Sequence, residues 1–340
     1  MVKTLINQPF LKLFLIVLIL GSFGCSSDND EARTEIIDEV IDDENDDVID
    51  TSNFEKIYIE GAEIVFPNYS IKNYLNHDFS TMYYFQELFN EDHGGSYVLE
   101  YLDQGGLGMD SYPSIVIGGT KVGGAYYTSD EAIVGMPVKL SEISETLSFD
   151  FKTSQVDALD SDDKWMSSIN FIFDNYGTED SELVNDDRDY DLVVMHEYHN
   201  FNDSLEENPL TANTTTTHWY FARNADGSLK PYTLNIDGEN YSYAVRYKFF
   251  INSGAKDNKA HVRFMPIGNE NIPPVLKVNV KDIVQASRDY LSYVNLTQDL
   301  RDLAESNIAL PNAWLKSINA GYEMYTGESL IKIDKFKVNL

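Results

Sequence analysis

Beyond residue 54, apolar and polar residues alternate through most of the chain, as in strands with one face turned to a core. The stretch "SINAGYEMYTG" (317–327) places Ile318, Ala320, Tyr322 and Met324 on one face. Asn319, Gly321, Glu323 and Tyr325 fall on the other, a polar floor with one carboxylate in it. In "WMSSINFIF" Trp165, Ile169, Phe171 and Phe173 point one way, and Ser168 and Asn170 the other. In "YDLVVMHEY" Asp191, Val193 and Met195 share a face. "YPSIVIGG", "ETLSFDFKT", "YSYAVRYKFFI" and "SLIKIDKFKVNL" read as further strands, rich in β-branched and aromatic residues. Breakers such as "DQGG", "GGTKVGG", "NADGS" and "NSGAKDN" separate them. One helix is predicted in "NLTQDLRDLAESN", where Leu296, Leu300, Leu303 and Ala304 recur at helical spacing behind Asn295 as N-cap. Many strands and one late helix predict an all-β protein, a β-sandwich or jelly roll with the helix packed on its outer face.

The N-terminus departs from this pattern. Lys3 and Lys12 precede the apolar run "LFLIVLILGSFG", which ends at Cys25. A basic start, a run too short to span comfortably and small residues at its end predict a secretory signal over residues 1–24. Cys25 is the only cysteine, so no intramolecular disulfide can form. "GSFGC" resembles a bacterial lipobox, which implies cleavage before Cys25 and a lipid on its thiol. Residues 26–53 hold 12 acidic residues and one Arg, a self-repelling composition that predicts a disordered stalk. Such a stretch after the lipidated cysteine resembles the surface-export signal of Bacteroidetes lipoproteins. The expected location is therefore the outer face of the outer membrane, reached through the lipid anchor only.

Charge narrows the partners. With +2 on the first 25 residues and −11 on the stalk, −22 of the total −31 falls on residues 54–340. So acidic a body argues against nucleic acid and anionic membranes, and a neutral substrate suits it better. The length of this body permits two domains or one large all-β sandwich.

Several motifs carry no chemistry. "HEYHN" from His196 lacks the second histidine of a zinc-protease helix, since position 200 is Asn, and it reads as a strand. "DALDSDD" (157–163) lacks the glycine and distal glutamate of a calcium loop. The carboxylates on strands differ. Two that converge across a sheet would be the minimal apparatus of a glycosidase, one protonating the leaving oxygen and the other attacking the sugar or activating water. Each alone is equally explained by a solvated strand face.

The order and wording of these segments resemble glycoside hydrolase family 12, β-jelly-roll endoglucanases and xyloglucanases. "YPSIVIGGTKVGG" (112–124) is similar to the family's "YPS" strand and Gly-rich loop, and "MPVKLSEI" (136–143) to its "LPVQVS" segment. "WMSSINFIF" resembles a "WNAAYDIWF"-type strand, and "YDLVVMHEY" stands where the family has "AELMIWL". "LTQDLRDLAESNIALPNAWLKSINAGYEMYTG" follows the family's helix and "WYLTSVQAGFEIW" strand, so the resemblance runs from about residue 95 to 340. It implies that Glu323 is the catalytic acid/base and that Asp191 holds the nucleophile position, where the family has Glu. It also implies substrate-side positions at Asn170, which replaces a supporting Asp, at Met195, which replaces a Trp, and at Tyr325. An Asp is shorter by one C–C bond, about 1.5 Å, which could move a retaining pair toward the wider inverting separation.

The implied activity is endo-cleavage of a β-linked polysaccharide by a monomeric domain, residues 54–340, with no cofactor because two carboxylates suffice. The alternative is a surface lipoprotein that binds glycan without cutting it. Two segments exceed the family's usual length, 200–227 and 265–293, and are expected to reshape the ends of the cleft. Trp219, Tyr220 and the tyrosines of "YSYAVRY" are either sugar-stacking faces or core.

Overall fold

The computed structural model describes residues 54–57, 63–65, 70–75, 80–85, 94–102, 111–118, 120–122, 125–127, 136–155, 163–174, 190–200, 219–250, 259–326 and 328–340. The signal segment, Cys25 and the acidic stretch lie outside them. In chain order come β1 (Phe54–Ile57), β2 (Glu63–Val65), β3 (Ser70–Leu75), β4 (Ser80–Phe85), β5 (Gly94–Leu102) and β6 (Ser111–Gly118). Then follow β7 (Thr120–Val122), β8 (Ala125–Tyr127), β9 (Val138–Lys139), β10 (Ser148–Gln155), β11 (Lys164–Asp174), β12 (Tyr190–His199) and β13 (Tyr220–Phe221). The rest are β14 (Tyr232–Ile236), β15 (Glu239–Phe250), β16 (Lys259–Pro266), β17 (Leu276–Asn279), α1 (Val280–Asp289), α2 (Gln298–Asn307), β18 (Trp314–Thr326) and β19 (Glu328–Asn339).

These strands form a six-stranded sheet in the order β1-β4-β5-β19-β10-β17 and a larger sheet in the order β13-β15-β16-β12-β11-β18-β6-β3-β2. β14 and β9 pair beside β15 and β18, and β7 and β8 form a separate ribbon. Pairing is antiparallel except between β12 and β16, which run parallel. The two sheets face each other across one apolar layer. Phe149 from β10 lies 5.8 Å from Phe171 of β11, edge to face, and 5.8 Å from Phe336 of β19. Trp165 and Tyr322 meet edge to face at 5.5 Å. The face of β18 read as core is core: Ile318, Ala320, Tyr322 and Met324 are fully buried. Tyr243 and Tyr247 of "YSYAVRY" belong to the same layer.

The predicted helix is α2, but Thr297, not Asn295, is its N-cap, accepting from the Leu300 N–H. Leu296 packs against the core just ahead of the cap. A second helix, α1, occupies the segment read as an insertion at 265–293, together with β17. Its buried Val280, Ile283, Val284 and Ser287 follow the i, i+3, i+4, i+7 spacing of one helical face. Ser287 fastens it to the large sheet. Its hydroxyl donates to the Val284 carbonyl, so the Tyr190 phenol, 2.5 Å away, must be the donor of that pair. The Tyr247 phenol donates to the Ser287 carbonyl. Both helices thus pack on the face of the large sheet that also meets the smaller one, leaving the opposite face for function.

Candidate functional site

Strand register fixes which side chains share that opposite face. Glu323 stands in a row with Met166 and Tyr198, and Gly321 in a row with Ser168 and Met195. Asn319, Asn170, Val193, Arg263 and Arg246 form the next row on this face, and Ser317, Ile172, Asp191, His261 and Lys248 the one beyond. Met166, Val193, Met195 and Met265 make a buried apolar floor, with Tyr198 and Tyr325 packed against it. The face is concave. On a flat sheet Glu323 and Arg263 would be roughly 19 Å apart, from strand spacings of 4.8 Å and 3.3 Å per residue. Yet Arg263 Nη2 lies 3.4 Å from Glu323 Oε2, which requires the sheet to cup around the intervening β11 and β12.

Glu323, on this face, is 7 % exposed. It accepts from the Arg263 guanidinium and, at 2.7 Å, from the Tyr325 phenol two residues on along the same strand face. Burial first, and then the charge of Glu323, push the Tyr325 phenol far above the usual tyrosine range. Tyr325 therefore keeps its proton and serves as a donor. Lys164 Nζ lies 5.7 Å above the Tyr325 ring.

The other sequence-expected residues fall differently. Asp191 is half-buried on the same face but sits six strand positions from the row of Glu323, roughly 20 Å along the strand direction. The register does not set the two carboxylates opposite each other, and Asp191 has His261 as its neighbour on β16. Asn170, expected to bond Asp191 or sugar, accepts instead from the Ser168 hydroxyl at 2.8 Å. Met195, expected at the substrate, is fully buried in the floor, where it supports the surface from below. Tyr325 lies where the alternation places it. Among the described residues no three His, Cys, Asp or Glu side chains gather as a metal site.

Arg263 and Arg246 enter the site unannounced by the sequence reading, beside Trp219, a candidate stacking aromatic. Arg246 lies 4.1 Å and Arg263 5.2 Å from the Trp219 ring centroid. The signal was period-two spacing: His261, Arg263 and Met265 alternate with the core residues Val262 and Phe264. Of the candidate stacking aromatics, Trp219 is at the site, and Tyr220 packs against the core.

A β-bulge between Ser167 and Ser168 turns two successive β12 residues, His196 and Glu197, away from the cup. Thr153 Oγ1 of β10 lies 2.6 Å from His196 Nδ1, 2.7 Å from Glu197 Oε1 and 2.9 Å from Ser167 Oγ. His196 Nε2 bonds the Pro273 carbonyl, so that nitrogen carries a proton. Burial lowers the His196 pKa to about 4 and raises that of Glu197 to about 7.

No protein-family model matches the chain, and no curated protein does. Solved structures do match. A native family 12 xyloglucanase from Bacillus licheniformis aligns at a TM-score of 0.53 with 15 % identity, over 84 % of this chain and 99 % of the other. A ligand complex of the family 12 xyloglucanase from the same organism gives 0.54 and 16 %, over 84 % and 99 %. The family GH12 endoglucanase 3 of Trichoderma harzianum gives 0.52 and 12 %, over 85 % and 98 %. At such identities the likeness establishes the fold: a β-jelly-roll sandwich of the glycoside hydrolase family 12 type.

Proposed function

We propose that the cup binds a β-linked polysaccharide and that the chain is an endo-acting glycoside hydrolase with Glu323 at its reacting centre. The observation that carries this reading is the buried Glu323 carboxylate, supplied with two donors, on the concave face of a family 12-type jelly roll. Its chemistry differs from the role implied by the resemblance. A guanidinium and a phenol both offer protons to Glu323, so it meets substrate as an acceptor, suited to attack a sugar carbon or take a proton from water. Asp191 is the partner carboxylate that the resemblance implies, and its separation from Glu323 favours a second reading, a glycan holder without turnover.

Incubating the purified protein and Glu323→Gln with soluble β-glucans, xyloglucan and algal polysaccharides, and following new reducing ends, tests the proposal. Cleavage that vanishes in the variant is the expected result. Binding in affinity electrophoresis without cleavage establishes the holder, and absence of both overturns the polysaccharide reading. The N-terminal sequence supports display at the cell surface through a lipid on Cys25. Incorporation of labelled palmitate should then be lost in Cys25→Ser.

A further inference from the structure

The cluster of Thr153, Ser167, His196 and Glu197 behind the cup can be counted proton by proton. His196 Nε2 faces the Pro273 carbonyl, which only accepts, so Nε2 carries a hydrogen. In a neutral ring Nδ1 is then an acceptor, and its partner at 2.6 Å is the Thr153 hydroxyl. An ionised Glu197 would be a second acceptor, 2.7 Å from the same hydroxyl. Thr153 has one hydrogen and cannot serve both. The Ser167 hydroxyl accepts from the Glu197 N–H at 3.3 Å and lies 2.9 Å from Thr153, but no hydrogen bond joins it to either acceptor. Every contact of Thr153 is therefore satisfied only when the cluster holds one more proton.

That proton has two places to sit. On His196 it makes an imidazolium beside a carboxylate, and on Glu197 an acid beside a neutral ring. Thr153, Ser167 and His196 are buried, and Phe151 meets the His196 ring edge to face, so the uncharged pair is favoured. The neighbouring charges agree in the main. Asp334 of β19 opposes a charge on Glu197, and Lys152 of β10 opposes one on His196. Asp334 also acts on His196 in the other sense, but it faces Lys152 at 3.9 Å and Lys332 at 3.4 Å.

We propose that this cluster is a pH latch between the two sheets: Glu197 is held as a carboxylic acid that donates to Thr153, Thr153 donates to His196, and release of the one proton loosens β10 from β12. Glu197, the partly exposed member, gives the proton its way out. β12 carries Met195 and Tyr198 on the cup face immediately before and after the latch, so the loosening reaches the floor of the cup. The latch does not depend on what the cup binds.

Two spectra of the purified full chain at pH 6 test the count. Infrared difference between the parent and Glu197→Gln should show one carboxylic-acid C=O band lost in the variant. Nitrogen-15 NMR of His196, assigned through its contact with Phe151, should show a neutral ring protonated at Nε2. Absence of the band, or an imidazolium at His196, would overturn the latch. Amide exchange tests the release. An opening that frees Glu197 and leaves His196 on Pro273 becomes about tenfold easier per pH unit between 4.5 and about 7, and no easier above. Corrected for the intrinsic pH effect, exchange along β10 and β12 should thus quicken about tenfold from pH 6 to pH 8 in the parent. In Glu197→Gln, whose amide donates to Thr153 with no proton to lose, it should stay constant. No change in the parent, or the same change in both, would overturn the proposal.

Discussion

At the scale of single residues, the buried cluster between the sheets makes stability depend on pH in opposing ways. Glu197 has its folded pKa raised from 4.5 to about 7, so its contribution is present below 4.5 and lost as pH rises through 7. His196 has its folded pKa lowered from 6.5 to about 4, so its contribution is present above 6.5 and lost as pH falls through 4. Between 4.5 and 6.5 the two slopes oppose each other, giving a plateau with losses on both sides. Glu197→Gln keeps the amide within reach of Thr153 and removes only the alkaline loss. Melting curves should show its Tm gain over the parent larger at pH 8 than at pH 5. An equal gain at both would mean that Glu197 does not titrate in this range. Tyr325→Phe makes a different point: it removes one donor from Glu323 and little volume. If Glu323 reacts as an anion, kcat should fall about tenfold or more with KM little changed.

At the scale of elements, the strands were legible because period-two alternation survives wherever one face is buried. β18 and β11 could be read to the face. The helices were less so. Thr297 and Asn295 are both capable caps, and only the packing of Leu296 selects the later one. α1 carried a full helical period, but its ten residues follow a Pro-Pro step and a short strand, so the region reads as an insertion. Its start rests on Asn279, whose Oδ1 accepts from the Asp282 N–H and whose Nδ2 donates to the Glu145 carbonyl. Asn279→Ala should lower unfolding free energy by about 1–2 kcal/mol, measurable by urea melts. What no local pattern could reveal is the site's diagonal. Arg263 reaches Glu323 because β16 joins β12 in parallel and the sheet cups, both consequences of non-local pairing.

At the scale of the whole molecule, the charge distribution is strongly uneven. A chain at −31 repels itself, and salt screens that repulsion with a Debye length of about 10 Å at 0.1 M. Raising NaCl from 10 to 200 mM should therefore raise Tm, whereas a fall would mean that attractive pairs dominate. Exposed ion pairs such as Lys281–Glu145 and Lys277–Asp237 contribute little to this balance. Composition does not reveal that Arg246, Lys248 and Arg263 share one face of this acidic body, since they lie on two strands that only non-local pairing brings together.

The register also has an engineering consequence. Tyr198 occupies the row of Glu323, two strands across and separated from it only by Met166. Two strand spacings are about 9.6 Å between backbones, a gap that glutamates leaning inward can close to the separations hydrolases use. Tyr198→Glu would install a facing carboxylate that Asp191, six positions away, does not provide. If the parent proves to hold glycan without cutting it, this one replacement is the shortest route by which the scaffold could acquire turnover.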